Sequence, residues 1–333
     1  MDHHDVIALG ASAGGFNALR ELLRTLPADF PAAVFIVLHL RAHAPDRFAN
    51  TLGHGASLPV EFATHGAKWE RGRVYMAPPD QHLLIEGERM VLAHGPRENG
   101  SRPAIDPMFR SVAASFGGRV IGVLLTGMLN DGTSGMIAIQ ECGGRTVIQH
   151  PRDALYPSMP LSAMTAMQVD YIVPLAELAD LLVRLVREPA GNSIPPSEQL
   201  KLEIEIAKNR LGTPNLPDAL GTRSVLTCPQ CHGVLWELTE GGLLRFRCHS
   251  GHTYTQDSLA VEQASALSRA LANAVRALAE RVGLMRRMAE DARMRNQERS
   301  GAEWESRAQE YDEQAQVIRD IMLGGVERQT LDV

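Results

Sequence analysis

The 333-residue chain has only 4 cysteines and few aromatic residues, and it has no surplus of basic charge. It contains no apolar run of about 18 residues, the length that spans a bilayer, and its first residues do not form a secretory signal. Its 33 basic and 39 acidic residues leave a net charge of −6, which argues against nucleic acid as the main partner. These absences predict a cytoplasmic protein without membrane insertion and without a nucleic-acid partner.

The first 187 residues alternate short β-branched runs with helical patterns. This alternation predicts an α/β fold, a doubly wound, mostly parallel sheet with helices on both faces. The proline-containing, polar stretch 188–221 is typical of a linker, and residues 222–255 form a small cysteine-bearing β unit.

The last predicted segment, residues 256–333, has apolar residues spaced alternately by four and three positions, with an interruption at Gly301. This spacing predicts a hairpin of two coiled-coil-like helices. The helices could pack on their own domain or form a homo-oligomer, and the sequence favours neither.

The turn after the first predicted strand carries the first candidate nucleophile, Ser12. Residues 10–14 read G-A-S-A-G, the G-x-S-x-G pattern of a serine on a sharp strand-to-helix bend. Glycine-rich turns of this kind also bind dinucleotide phosphates, but that function requires an acidic residue about 20 positions later. The second predicted strand ends instead at His39, which suits proton transfer from a serine.

Three polar residues follow different predicted strands. Ser12 follows the first strand, His39 the second, and Asp131 comes a few residues after the strand at 120–125. The carboxyl ends of parallel strands meet at one edge of a sheet, so these side chains are expected to converge. A nucleophile, a general base and an orienting carboxylate form the triad of a serine hydrolase.

Further motifs make the pattern more specific: R-P-A-I-D at 102–106, T-G-M at 126–128 and N-D-G at 130–132. With the serine turn and His39, they resemble the chemotaxis protein-glutamate methylesterases, that is, the CheB-type catalytic domain, over about residues 4–187. The resemblance implies that Ser12, His39 and Asp131 are catalytic and that the backbone N–H groups of Ala13 and Met128 form the oxyanion hole.

The resemblance also implies an activity. The family hydrolyses γ-methyl esters of glutamates in chemoreceptors (EC 3.1.1.61-like) and can deamidate glutamines there, without a catalytic cofactor. A chemoreceptor-like protein is therefore the expected substrate. Two features depart from the family pattern: no receiver domain precedes the first strand, and Leu129 occupies a position where a small residue is usual. The alternative is a catalytically degenerate binding or scaffold protein of a chemosensory system.

The cysteine unit has the spacing of a zinc ribbon. Cys228 and Cys231 form one C-x-x-C pair, and Cys248 with His252 follows after two short predicted strands. Three thiolates and one imidazole suit a closed tetrahedral structural zinc site. His232 and His249 are alternative histidine ligands, and the fourth cysteine, Cys142, is interpreted as a buried structural thiol.

Overall fold

The computed structural model describes residues 3–40, 44–45, 47–208 and 221–329. Its main element is a seven-stranded sheet in the order β3-β4-β2-β1-β7-β8-β9, in which every neighbouring pair is parallel. A two-stranded hairpin, β5-β6, and a four-stranded antiparallel sheet, β10-β11-β12-β13, are separate. The predicted fold class is thereby confirmed.

The strands, in chain order, are β1 (Val6–Ala11), β2 (Ala33–Leu38), β3 (Val60–Phe62), β4 (Val74–Met76), β5 (His82–Glu86), β6 (Arg89–Ala93), β7 (Val120–Leu124), β8 (Arg145–Gln149), β9 (Tyr171–Val173), β10 (Thr222–Thr227), β11 (Val234–Glu240), β12 (Leu243–Cys248) and β13 (Thr253–Thr255). The helices are α1 (Gly15–Thr25), α2 (Phe48–Leu52), α3 (Ile105–Phe116), α4 (Thr133–Glu141), α5 (Ser158–Ala166), α6 (Leu175–Leu185), α7 (Glu198–Ala207), α8 (Gln256–Met294) and α9 (Glu298–Gln329).

The central strand β1 is buried on both faces, which explains its continuous apolar sequence. Because successive side chains of a strand point to opposite faces, Val6 and Ala8 pack in one apolar core, formed with α3, α4 and α5. Ile7 and Leu9 pack in the other, formed with α1, α2 and α6. The sheet is thus covered on both sides, and its carboxyl edge remains open for a site.

The segment predicted as a linker, residues 188–221, includes helix α7. Ser197 caps this helix by accepting a hydrogen bond from the Leu200 N–H at 3.1 Å. Leu200, Ile204 and Ala207 lie on one side of the helix and are buried in the core that contains α3. The apolar residues at helical spacing therefore form a packed helix, although prolines precede them. Residues 209–220 of the predicted linker lie outside the described part.

The cysteine-bearing unit, hereafter the ribbon, is the sheet β10 to β13, residues 222–255. Two of its arginines, Arg245 and Arg247 on β12, are fully buried against Glu203 of α7. Arg110 of α3 pairs with the same carboxylate at 3.0 Å and with Glu98 at 2.6 Å. This buried charge cluster joins the ribbon to the helices that cover the main sheet.

The chain divides into two compact units, Met1–Leu259 and Ala260–Val333. The first contains the main sheet and the ribbon together, whereas the sequence predicted four segments with boundaries after residues 187, 221 and 255. In the second unit, small residues of both helices are buried, Ala289 and Ala292 of α8 and Ala308 and Ala315 of α9. Arg293 pairs with Glu305 and Arg286 with Asp312 across them. No helix among the described residues has the length and apolar character to cross a bilayer.

Candidate active site

Ser12 lies in the tight turn between β1 and α1. Its backbone N–H donates to the Thr126 carbonyl at 3.0 Å, which ties the turn to the segment after β7. Gly14 in this turn has a φ of 75°, a left-handed conformation that glycine adopts without steric cost. The serine side chain is half-buried, and its Oγ is directed towards the residue that follows β2.

His39 and Asp131 complete a hydrogen-bonded chain with Ser12. The Ser12 Oγ lies 3.0 Å from His39 Nδ1, and His39 Nε2 lies 2.7 Å from Asp131 Oδ2. An ionised carboxylate only accepts, so Nε2 carries the proton and Nδ1 is free to accept the hydroxyl proton of Ser12. The structure therefore brings together all three residues that the sequence proposed for the triad, with the imidazole in the tautomer that a general base requires.

Asp131 is buried and accepts hydrogen bonds from several groups at the start of α3. The N–H of Ile105 donates to its Oδ2 at 2.7 Å, and the N–H of Asp106 donates to Oδ1 at 3.3 Å. These are unpaired first-turn donors of a helix whose N-cap residue makes no side-chain bond, so Asp131 caps α3 from another part of the chain. Burial alone raises the pKa of Asp131, but the bonds from His39, Ile105 and Asn99 hold the pKa far below its usual range.

Two buried residues outside the predicted triad, Asn99 and Asp106, also contact this carboxylate. Asn99 donates through Nδ2 to Asp131 Oδ1 at 3.1 Å and to Asp106 Oδ2 at 3.2 Å. Burial, together with the adjacent Asp131, raises the pKa of Asp106 well above its usual range. The pKa values of the two neighbouring carboxyl groups are therefore shifted in opposite directions, and the lowered one belongs to the group that bonds to His39. Asp106 belongs to the R-P-A-I-D motif, but Asn99 lies in a glycine-containing turn that gave no functional signal.

The loop after β7 lies beside Ser12 and is fixed by hydrogen bonds. The Thr126 hydroxyl donates to the Ala13 carbonyl at 3.1 Å, and the Gly127 N–H donates to the Tyr156 carbonyl at 2.9 Å. The N–H groups of Ala13 and Met128 donate to no other group among the described residues. Both are thus available as donors to a bound oxygen. Leu129, where a small residue was expected, has a left-handed φ of 61°.

A largely apolar pocket of about 580 Å³ opens at Ser12 and His39. Its other described walls include Phe16, Leu38, Leu40, Pro45 and Phe48. A second cavity of about 490 Å³ lies between the loop at Met128 and the ribbon residues 242–244. Ser12 therefore faces an apolar pocket on one side, and the ribbon borders the adjoining loop at Met128 on the other.

The four predicted metal ligands of the ribbon also lie together. The ligand atoms of Cys228, Cys231, Cys248 and His252 are all within 4.8 Å of one another. Cys231 Sγ lies 3.5 Å from Cys248 Sγ, which in turn lies 3.4 Å from His252 Nδ1. Bonds of about 2.0–2.3 Å to a tetrahedral zinc separate the ligand atoms by about 3.3–3.8 Å, so this donor set fits zinc. His252, rather than His232 or His249, is the histidine of the cluster.

Comparison with known proteins gives matches over the main sheet. The CheB methylesterase family model matches residues 7–182. A putative protein-glutamate methylesterase/protein-glutamine glutaminase of Leptospira interrogans is 38% identical over 184 residues, which are 55% of this chain and 95% of that protein. A protein of Methanosarcina mazei named protein-glutamate methylesterase/protein-glutamine glutaminase 2 is 38% identical over 55% of this chain and 52% of its own length. The chain thus spans about half the length of that relative.

A solved structure matches the same region. The crystal structure of the Thermotoga maritima CheB methylesterase catalytic domain superposes with a TM-score of 0.53 and 29% sequence identity. The match covers 55% of this chain and 98% of that one. The main sheet and its helices are therefore similar to a complete catalytic domain of this kind.

Proposed function

The chain belongs to the CheB methylesterase family, and from this premise we propose that it hydrolyses γ-methyl esters of glutamate side chains in chemoreceptor-like proteins. Its curated relatives are named as methylesterases and glutaminases, so the proposed activity includes deamidation of glutamine in the same substrates. The observation that carries the proposal is the hydrogen-bonded chain Ser12–His39–Asp131 beside an apolar pocket.

The first half of the proposed reaction forms an acyl-enzyme. Ser12 Oγ attacks the ester carbonyl carbon while His39 Nδ1 takes the hydroxyl proton, and Asp131 stabilises the resulting imidazolium. The N–H groups of Ala13 and Met128 donate to the oxyanion of the tetrahedral intermediate, a contribution of about 3–4 kcal/mol per donor. Collapse of the intermediate breaks the bond to the methoxy oxygen, which leaves as methanol with the proton from His39.

The second half releases the product. His39 takes a proton from water, whose oxygen attacks the acyl carbon, and the proton then returns to Ser12 Oγ as the ester bond to the enzyme breaks. The product is a glutamate carboxylate. With a glutamine substrate the same steps release ammonia in place of methanol, because His39 protonates the departing nitrogen.

Labelling of Ser12 by a serine-directed fluorophosphonate tests the nucleophile without a natural substrate. The wild-type chain is expected to be labelled and to release methanol from methylated receptor fragments, and Ser12→Ala is expected to do neither. Ser101→Ala, outside the proposed triad and oxyanion hole, is the matched control. If Ser12 is labelled but no methanol is released, Ser12 is a nucleophile and the proposed substrate is wrong. If the wild-type chain is neither labelled nor releases methanol, the result favours the scaffold alternative.

We further propose that the cluster Cys228, Cys231, Cys248 and His252 holds a structural zinc ion. Four protein ligands complete a tetrahedral shell and leave no open position for a reacting water. The zinc would supply folding stability to the ribbon, a unit too small to form an extensive core of its own. The catalytic steps require no cofactor, since the nucleophile, base and oxyanion donors all belong to the chain.

A further inference from the structure

The ribbon reaches the buried side of the triad at the junction of β13 and α8. The N–H of Thr255, the last residue of β13, donates to Asn99 Oδ1 at 3.1 Å, and the Ser258 hydroxyl donates to the same oxygen at 3.0 Å. All three residues are at least nine-tenths buried. These contacts join positions 159 residues apart in the sequence, so they connect the C-terminal extension to the catalytic sheet.

These donors fix the orientation of the Asn99 amide. With its oxygen held by Thr255 and Ser258, the Nδ2 group faces Asp131 and Asp106 and donates to both. The opposite orientation would place the amide oxygen against the carboxyl oxygens of that pair and its nitrogen against the two ribbon donors. The Thr255 N–H would keep its bond to Ser258 Oγ at 2.8 Å, and the Ser258 hydroxyl its bond to the Thr255 carbonyl at 3.2 Å. The buried amide oxygen and the Asp131 carboxylate, however, would face each other as two acceptors with no proton between them. Thr255 and Ser258, together with the carboxyl groups on the other side, thus favour the orientation in which Asn99 donates to Asp131.

A second connection runs through Asn130, which directly precedes Asp131. The Thr255 hydroxyl donates to Asn130 Oδ1, and Asn130 Nδ2 donates to Asp257 Oδ2 at 3.1 Å. Asn130 follows Met128 and Leu129, so the same contacts fix the loop that carries one of the two candidate oxyanion donors. Two separate side chains of the catalytic domain are therefore held by one turn of the C-terminal extension.

We infer that Thr255 and Ser258 are positioning residues of the active site, which act on Asp131 through Asn99 and on the oxyanion loop through Asn130. Neither residue touches the reacting atoms. The inference rests on the proposed function, because it assigns the ribbon a role in the same esterase reaction. It makes the junction of β13 and α8 a support of the active site.

The first test compares full-length variants in methanol release from a methylated receptor fragment. Ser258→Ala and Thr255→Val should each lower kcat about 10-fold, the effect of one lost buried hydrogen bond, and leave KM unchanged. Thr255→Ser keeps the hydroxyl and should restore kcat. Ser224→Ala and Thr239→Val, which alter ribbon positions away from the site, should match the wild-type chain.

The second test asks whether Ser258 acts through Asn99. Asn99→Ala should lower kcat at least 10-fold, and adding Ser258→Ala to it should cause no further loss. If the fold-losses of kcat in the two single variants multiply in the double variant, Ser258 does not act through Asn99. If Asn99→Ala does not fold, as judged by circular dichroism, the comparison of Thr255→Val with Thr255→Ser still decides whether the ribbon hydroxyl acts on catalysis.

Different results would overturn this inference and the proposed function. If the wild-type chain releases no methanol and Ser12 is not labelled, the esterase proposal fails. If the wild-type chain is active and folded Ser258→Ala and Thr255→Val variants have unchanged kcat, only the positioning role fails. Equal losses of kcat in Ser224→Ala and Thr239→Val would also overturn it, because such losses would report a general effect of ribbon stability.

Discussion

At the scale of single residues, the close approach of the loop after β7 to Ser12 depends on Gly127. A Cβ at this position would lie 2.9 Å from Ser12 Cβ and closer still to the Met159 sulfur. The methionine is flexible and can move, whereas Ser12 Cβ is fixed by the tight turn. Any larger residue must therefore push the loop and the nucleophile apart.

We accordingly expect Gly127→Ala to slow fluorophosphonate labelling of Ser12 by about 10- to 100-fold, because displacements of about 1 Å at a reacting centre have effects of this size. Gly283→Ala is the matched control, since a Cβ there has no neighbour within 4 Å. Labelling rates of the two variants and the wild-type chain, measured by mass spectrometry, provide the comparison. An unchanged rate in Gly127→Ala would show that the loop adapts without displacing Ser12.

The sequence predicted some residues of this site and missed others. Ser12, His39 and Asp131 were found because each follows a predicted strand, and parallel strands bring their carboxyl ends to one edge. Asn99 was missed because it follows no strand of the main sheet and its partners Thr255 and Ser258 are distant in sequence. A buried amide that links two distant segments leaves no local pattern in the sequence.

At the scale of elements, helix α7 and strand β12 meet in the buried charge cluster around Glu203. Burial alone raises the pKa of Glu203, but the charges of Arg245, Arg247 and Arg110 outweigh burial and hold the pKa well below its usual range. A carboxylate with a lowered pKa stabilises the folded state above its unfolded pKa of about 4.3, and this contribution is lost as the pH falls through the folded value.

Glu203→Gln should therefore lower the free energy of unfolding at pH 7 by about 3–5 kcal/mol, since it leaves buried arginines without a full counter-charge. The difference from the wild-type chain should shrink as the pH falls below about 4.3. Urea unfolding at several pH values measures the difference in the free energy of unfolding and its dependence on pH. Glu198→Gln on the same helix removes only an exposed ion pair with Lys201 and should change stability by less than about 0.5 kcal/mol. A difference independent of pH would contradict the charge-based explanation.

The elements themselves were predicted well where their apolar pattern was strong. Strands β1 and β2 end where the sequence placed them, at the turn of Ser12 and before His39, and β7 matches the strand predicted at 120–125 within one residue. Helix α7 was not predicted, because the prolines and glycine before it indicated a linker and its apolar face is short. The burial of its Glu203 depends on Arg110 and Arg245, whose pairing with this carboxylate leaves no local pattern in the sequence.

At the scale of the whole molecule, the ribbon and the main sheet share one compact unit, Met1–Leu259. The domain boundaries that the sequence predicted stay predictions, as does homo-oligomer formation through the C-terminal helices. Neither the buried charge cluster nor the contacts to Asn99 could be foreseen, because the cluster joins residues 42 positions apart and the Asn99 contacts join residues up to 159 positions apart. Sequence composition marks a change of segment, but it carries no information on whether the segments share a core.

Metal removal tests this shared unit. Elemental analysis should find one zinc per chain, and Cys248→Ser should lose it. Because the ribbon is joined to α3 and α7 through buried charges, calorimetry of Cys248→Ser should show the unit that contains the triad melting at a lower temperature in one transition. Ser250→Ala, an exposed ribbon position outside the metal cluster, is the control. If the ribbon melts in a separate transition and the melting temperature of the main sheet is unchanged, the two do not form one cooperative unit.

The distance in sequence between Asn99 and Ser258 also sets an order of events during synthesis. The 159 residues between them take about 8–30 s to translate at roughly 5–20 residues per second. The nucleophile turn and the strands of the main sheet leave the ribosome well before the turn that holds Asn99. A newly made main sheet therefore passes through a period in which Asn99 lacks these buried donors, and from the proposed positioning role we expect full activity only after residues 255–258 have been made.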